Sequence, residues 1–171
     1  MAAIQRIFWV HLGVATTAMA LGYGLAGWWS VAAGFILLGG LWFGFQRSGD
    51  RNVEGVLLVV FCAAAGIGFW LLAPGIPLLL GVVGSLGAWD LAHFLRRINS
   101  VERVDFETGL GREHVRRLLI IEAVGLVAGL FALTAQARIP FWWEALLALL
   151  AVIGISQIVA FIRKQTEGPE N

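Results

Sequence analysis

The chain has 171 residues, of which 59% are hydrophobic and 13% charged, with a mean hydropathy of +0.83. A soluble domain carries about 25% charged residues, so water is excluded as the main solvent. Twelve Lys plus Arg against eleven Asp plus Glu exclude the clustered basic footprint of a nucleic-acid binder. The single cysteine, Cys62, rules out an internal disulfide and a cysteine-based zinc site; in its apolar run it reads as a small buried hydrophobe.

After Arg6 an apolar segment over 7–29 is long enough to cross about 30 Å of hydrocarbon at about 1.5 Å per residue. A signal peptide is the rival reading, because Arg6 supplies a basic start and Ala18-Met19-Ala20 has the small residues of a cleavage site. The apolar run continues past that site to Trp28 and Trp29, which favours a retained helix. A turn near Trp29-Ser30 leads to a second helix over 31–45, thin for a full span unless tilted or lengthened by its flanks. Arg47, Asp50 and Arg51 mark a polar loop, and a third helix is expected over 55–73. Pro74-Gly75-Ile76-Pro77 breaks it, since proline lacks the N–H donor that a helix interior needs.

A fourth helix follows over 78–95, and residues 84–97, GSLGAWDLAHFLRR, are the stretch on which the rest turns. It sets an acid and a histidine inside a hydrocarbon-length segment, just before a double arginine. Residues 96–117 are the one long hydrophilic stretch, with Gly109-Leu110-Gly111 as an expected break. Helices over 118–135 and 141–162 and a polar tail complete the chain. The expected fold is therefore all-α: a polytopic membrane protein in the lipid bilayer, a bundle of six transmembrane helices arranged as three hairpins.

Basic residues concentrate in cytoplasmic loops. With both termini cytoplasmic, eleven of the twelve basic residues fall inside and only Arg138 outside. Trp9, Trp42 and Trp89 then lie near the inner interface, and Trp28, Trp29, Trp70, Trp142 and Trp143 near the outer one, as interfacial anchors. The helices expected to return inward end in Phe45-Gln46-Arg47, Phe94-Leu95-Arg96 and Phe161-Ile162-Arg163, in keeping with three successive hairpins of one topology. A set of that kind is not the inverted repeat of many secondary transporters. Ala64-x-x-x-Gly68 and Gly125-x-x-x-Gly129 fit close helix packing.

The polar residues within these segments carry the functional signal. His11 lies five residues inside Arg6, Asp90 six inside Arg96, Glu122 five inside Arg117 and Gln157 six inside Arg163, all about 7 to 9 Å beneath one interface, with His93 closer to it. Intramembrane acids and histidines face the bundle interior and find partners there, so Asp90, His93, Glu122, His11 and Gln157 form a candidate polar layer able to share a proton or bind a cation. The competing reading is structural: Asp90 pairs with His93 or a snorkelling arginine, and Glu122 with Arg117 or Arg116. Glu144 reads as a helix-end anchor with Arg138 as its counter-ion.

Other chemistries find little support. Haem ligation by His11 and His93 has no repeated histidine pattern behind it. Ser85 and His93 sit about 12 Å apart along one helix and cannot form a nucleophile–base pair. His-Glu-x-x-His and phosphate-loop motifs are absent, and no cofactor or metal is implied. The leading expectation is a non-enzymatic multi-pass protein of the cell membrane, an accessory or assembly component that meets a protein partner through cytoplasmic loop 96–117. A small proton- or cation-linked transporter using the acid/histidine layer is the alternative. A lipid-directed membrane enzyme would need its acids at the headgroup boundary beside an open groove.

Overall fold

The computed structural model describes residues 2–48, 51–100 and 109–134. These are all-helical, with no strand among the described residues: α1 (Ala2–Leu25), α2 (Trp29–Ser48), α3 (Arg51–Trp70), α4 (Gly75–Ser100) and α5 (Gly109–Thr134). All five are long and apolar enough to cross a membrane. The expected helix over 141–162, with Gln157, Trp142, Trp143 and Glu144, lies outside the described residues, as do Arg138, the polar tail and the centre of the 96–117 loop.

Several boundaries move for identifiable reasons. The first helix stops at Leu25 rather than Trp29, because Gly27 takes a left-handed conformation at φ 85°. Its N–H donates to Gly24 O at 3.0 Å and the Trp28 N–H to Tyr23 O at 2.9 Å, the paired bonds of a Schellman cap. Trp29 thus opens α2, whose 20 residues give about 30 Å, enough for a full span. Helix α3 ends in the same way, with Leu72 N–H donating to Phe69 O at 3.1 Å and Ala73 N–H to Gly68 O at 2.9 Å. Here the left-handed position is held by Leu72, at φ 60°.

That conformation costs an L-residue roughly 1–2 kcal/mol, and the Leu72 side chain, 91% exposed, has little packing to offset it. Leu72→Gly is therefore expected to raise stability by roughly 1 kcal/mol, read as a higher midpoint of thermal unfolding in detergent.

Helix α4 starts at Gly75, ahead of Pro77, and not after it. Proline is tolerated in a first turn because the N–H groups there have no intrahelical acceptor. The same helix runs on through Arg96 to Ser100, and Gly109-Leu110-Gly111 begins α5 instead of breaking the chain. The hydrophilic connection is shorter than 96–117 accordingly.

Helices α1 and α4 make the most extensive contact, and α2 and α3 flank them. Phe8, Leu12, Ala15, Met19 and Tyr23 form the buried stripe of α1, at spacings of three and four that keep them on one face. They meet Leu78, Ala88, Leu91 and Ala92 of α4, with Phe35 and Trp42 of α2 and Phe61 of α3 closing the core. Tyr23 spans the bundle, donating its hydroxyl to Ala64 O at 2.6 Å. The close approach of Tyr23 and Leu78 to Gly68 shows what Ala64-x-x-x-Gly68 is for.

Two expectations change here. Trp42 is wholly buried, edge-on to Phe61 with ring centroids 5.7 Å apart, so it is a core residue and not an interfacial anchor. Cys62 points outward from α3, because Phe61 and Ala65 occupy the buried stripe on either side of it.

Candidate functional site

The stretch 84–97 forms the middle and far half of α4, and it touches each polar residue of the site. Gly84 and Gly87 lie one turn apart against α1. A Cβ at Gly84 would come within 2.9 Å of Ala15 N and 3.0 Å of His11 O, so glycine lets the two backbones nearly touch. A Cβ at Gly87 would collide with Glu122 Oε1 and His11 Cδ2. The notch at Gly87 is the space in which a residue of α1 and a residue of α5 meet over α4.

In that notch His11 Nε2 lies 3.0 Å from Glu122 Oε2. The other ring nitrogen, Nδ1, is 2.8 Å from Ile7 O one turn back on α1. A carbonyl oxygen can only accept, so Nδ1 carries a hydrogen and donates. Both side chains are largely enclosed, and Glu122 Oε1 is buried without a hydrogen-bond partner among the described residues.

One turn beyond Gly87, Asp90 Oδ2 lies 2.8 Å from His114 Nε2 of α5, at ion-pair distance but out of line for a hydrogen bond. The His114 ring stacks on Phe94, 4.0 Å between centroids and 5° between planes. This pair is half-open, unlike the first. Among the described residues Asp90 therefore pairs neither with His93 of its own helix nor with an arginine.

A third cluster joins α3 to α4. Glu54 is wholly buried, and Arg96 Nη1 and Nη2 donate to its two carboxylate oxygens in a bidentate grip. His93 Nδ1 is 3.8 Å from Glu54 Oε2 and 3.1 Å from Trp89 O, with its ring against the Trp89 indole. Glu54 falls one residue outside the helix expected over 55–73 and so escapes notice as an intramembrane acid. Its best signal is its place in the first turn of a helix starting at Arg51, where an acid complements the helix dipole.

All three histidines of the chain thus lie within 4 Å of a carboxylate on another helix: His11 with Glu122, His114 with Asp90, and His93 with Glu54. Of the residues singled out from the sequence, the fold joins His11 to Glu122 and sends Asp90 and His93 to separate partners. Glu122 meets neither Arg116 nor Arg117; both of those contact Glu113 instead. His114 sits in what reads as loop, and only the early start of α5 reveals it as a helix-face residue. Ser85 is buried and donates its hydroxyl to Val82 O at 2.8 Å. Among the described residues no group of three or more His, Cys, Asp or Glu side chains is placed to hold a metal ion. Compared with known proteins, the chain matches no family model, no curated protein and no solved structure.

Proposed function

We propose that this chain is a multi-pass protein of the cell membrane that works without catalysis, as an accessory or assembly component. The proposed arrangement has six helices, the sixth over 141–162, with both termini cytoplasmic. The connection within 96–117 is the surface that engages a protein partner. The observation that carries the reading is the locking of the described helices to one another. Each described helix runs unbroken between its caps, α1 lies against glycines of α4, and ion pairs tie α3 and α5 to α4 and α5 to α1. Such a unit suits presenting a fixed surface better than rocking about a central site, the motion expected of transporters built from broken helices.

The second reading, a small proton- or cation-linked transporter using Asp90, Glu122, His93 and His11, draws on one specific observation: the pairing of every histidine with a carboxylate inside these segments.

One experiment separates them. The full chain, tagged at its C-terminus, is purified from its native membrane beside a variant in which residues 101–108 are replaced by a Gly-Ser linker of equal length. Both proteins are also reconstituted in liposomes bearing a pH gradient. The accessory reading expects a stoichiometric partner that the linker variant loses, and an undisturbed gradient. Dissipation of the gradient by wild type, with no partner retained, would establish the transporter instead.

A further inference from the structure

We infer that His11 and Glu122 together form a binding site for one proton, held between Nε2 of the imidazole and Oε2 of the carboxyl group. Nδ1 is committed as a donor to Ile7 O at 2.8 Å, which leaves Nε2 of a neutral His11 with a lone pair and no hydrogen. That lone pair faces Glu122 Oε2 at 3.0 Å. Two acceptors at that distance repel, whereas one added proton converts the contact into a hydrogen bond in either of two forms. Imidazolium donates to carboxylate, or carboxylic acid donates to imidazole. Both forms hold one proton more than the separated neutral imidazole and carboxylate.

A second observation points the same way. Glu122 Oε1 is buried and receives no hydrogen bond from any described residue. As half of a bare carboxylate it would carry negative charge into an enclosed site with no donor among the described residues, at a cost well above that of a neutral carbonyl oxygen. A proton at Oε2, owned or shared, removes much of that charge. The two groups also fill the notch over Gly87, since even a methyl group there would overlap both of them. The ligand is a proton, because the two donor residues found among the described residues are too few for a metal cage.

Among the described residues no Lys or Arg pairs with Glu122; on its own helix α5, Arg116 and Arg117 contact Glu113. On α1 the nearest basic residue in sequence is Arg6, five residues away. On α4, Asp90 one turn from Gly87 pairs with His114 of α5, and Arg96 is engaged by Glu54 of α3. Helix α2 carries no Asp, Glu, His, Lys or Arg between Trp29 and Gln46. Among the described residues the proton is thus the balancing charge for Glu122. The site holds whether the protein is an accessory component or a transporter, since it concerns occupancy and not flux.

The test uses the full chain in lipid bilayers, labelled with 15N-histidine and 13C-glutamate, at about pH 8, roughly 1.5 units above the ordinary histidine value. Solid-state NMR reads the protonation of both His11 nitrogens and the carboxyl carbon lying beside Nε2. His11 is identified by the signal missing from H11Q, or by elimination with H93Q and H114Q should H11Q fail to assemble. The expected result is a retained proton: either both nitrogens protonated, or Nδ1 alone protonated beside a carboxyl carbon with the shift of an acid. His11 protonated only at Nδ1 beside a carbon with the shift of a carboxylate would overturn the proposal. The measurement is made on wild type, and neither result bears on partner capture or gradient dissipation.

Discussion

Arg96→Ala is expected to destabilise the bundle by about 3–5 kcal/mol, the largest effect of any single substitution outside the apolar core. Glu54 is wholly buried, and the guanidinium of Arg96 satisfies both of its oxygens at once. Without it a charge remains in a low-dielectric place, with only His93, among the described residues, near by at 3.8 Å. Arg96→Lys keeps the charge but loses the fork that matches a carboxylate, so an intermediate loss is expected. The double variant Glu54→Gln, Arg96→Met should recover much of the loss, because removing both charges also removes the cost of burying them. Thermal or denaturant unfolding in detergent reads all four proteins. If Arg96→Ala unfolds at the wild-type midpoint, Glu54 is not enclosed as described.

Gly84→Ala is the second large effect, expected at about 1–3 kcal/mol. The added methyl group meets backbone on α1, Ala15 N at 2.9 Å and His11 O at 3.0 Å, and backbone cannot turn aside as a flexible side chain can. Relief comes only by moving α1 and α4 apart, which loosens the most extensive helix contact of the described bundle. Gly40→Ala and Gly44→Ala are the matched controls: a methyl group at either meets nothing within 4 Å among the described residues, and alanine is the better helix former. Both controls should match or exceed wild type in unfolding midpoint while Gly84→Ala falls. Equal losses at all three positions would mean that the cost comes from helix propensity in lipid and not from the α1–α4 approach.

These two substitutions mark where sequence reasoning stops. The apolar composition and segment lengths foretell helices long enough for a membrane, since only a helix satisfies its own backbone hydrogen bonds within one segment there. Proline positions and the Trp-rich turns place the connections to within a few residues. The misplaced ends trace to caps: Gly27 could be suspected from its residue type, but Leu72 in the same left-handed role carries no such signal. Helix α4 outruns its apolar segment because a helix needs no apolar residues once it leaves hydrocarbon, so hydropathy marks the span and not the helix.

The polar residues divide in the same manner. That acids and histidines at hydrocarbon depth must find partners follows from the sequence and the cost of burying charge. Which partner each one finds does not. Glu54 and Arg96 are 42 positions apart, and His11 and Glu122 are 111 apart. Joining them requires the rotation of every helix about its own axis and its register along its neighbour. In a soluble bundle an apolar stripe sets that rotation, but here nearly every face is apolar and hydropathy leaves it open. The small residues settle it: Gly84 seats α1, Gly87 clears the notch for His11 and Glu122, and Gly68 admits Tyr23 and Leu78. The sequence by itself determined that this is an all-helical chain with spans of membrane length and charges that must pair. Only the tertiary structure decided the pairs, because close packing at glycine, and not hydrophobicity, orients helices that are apolar all round.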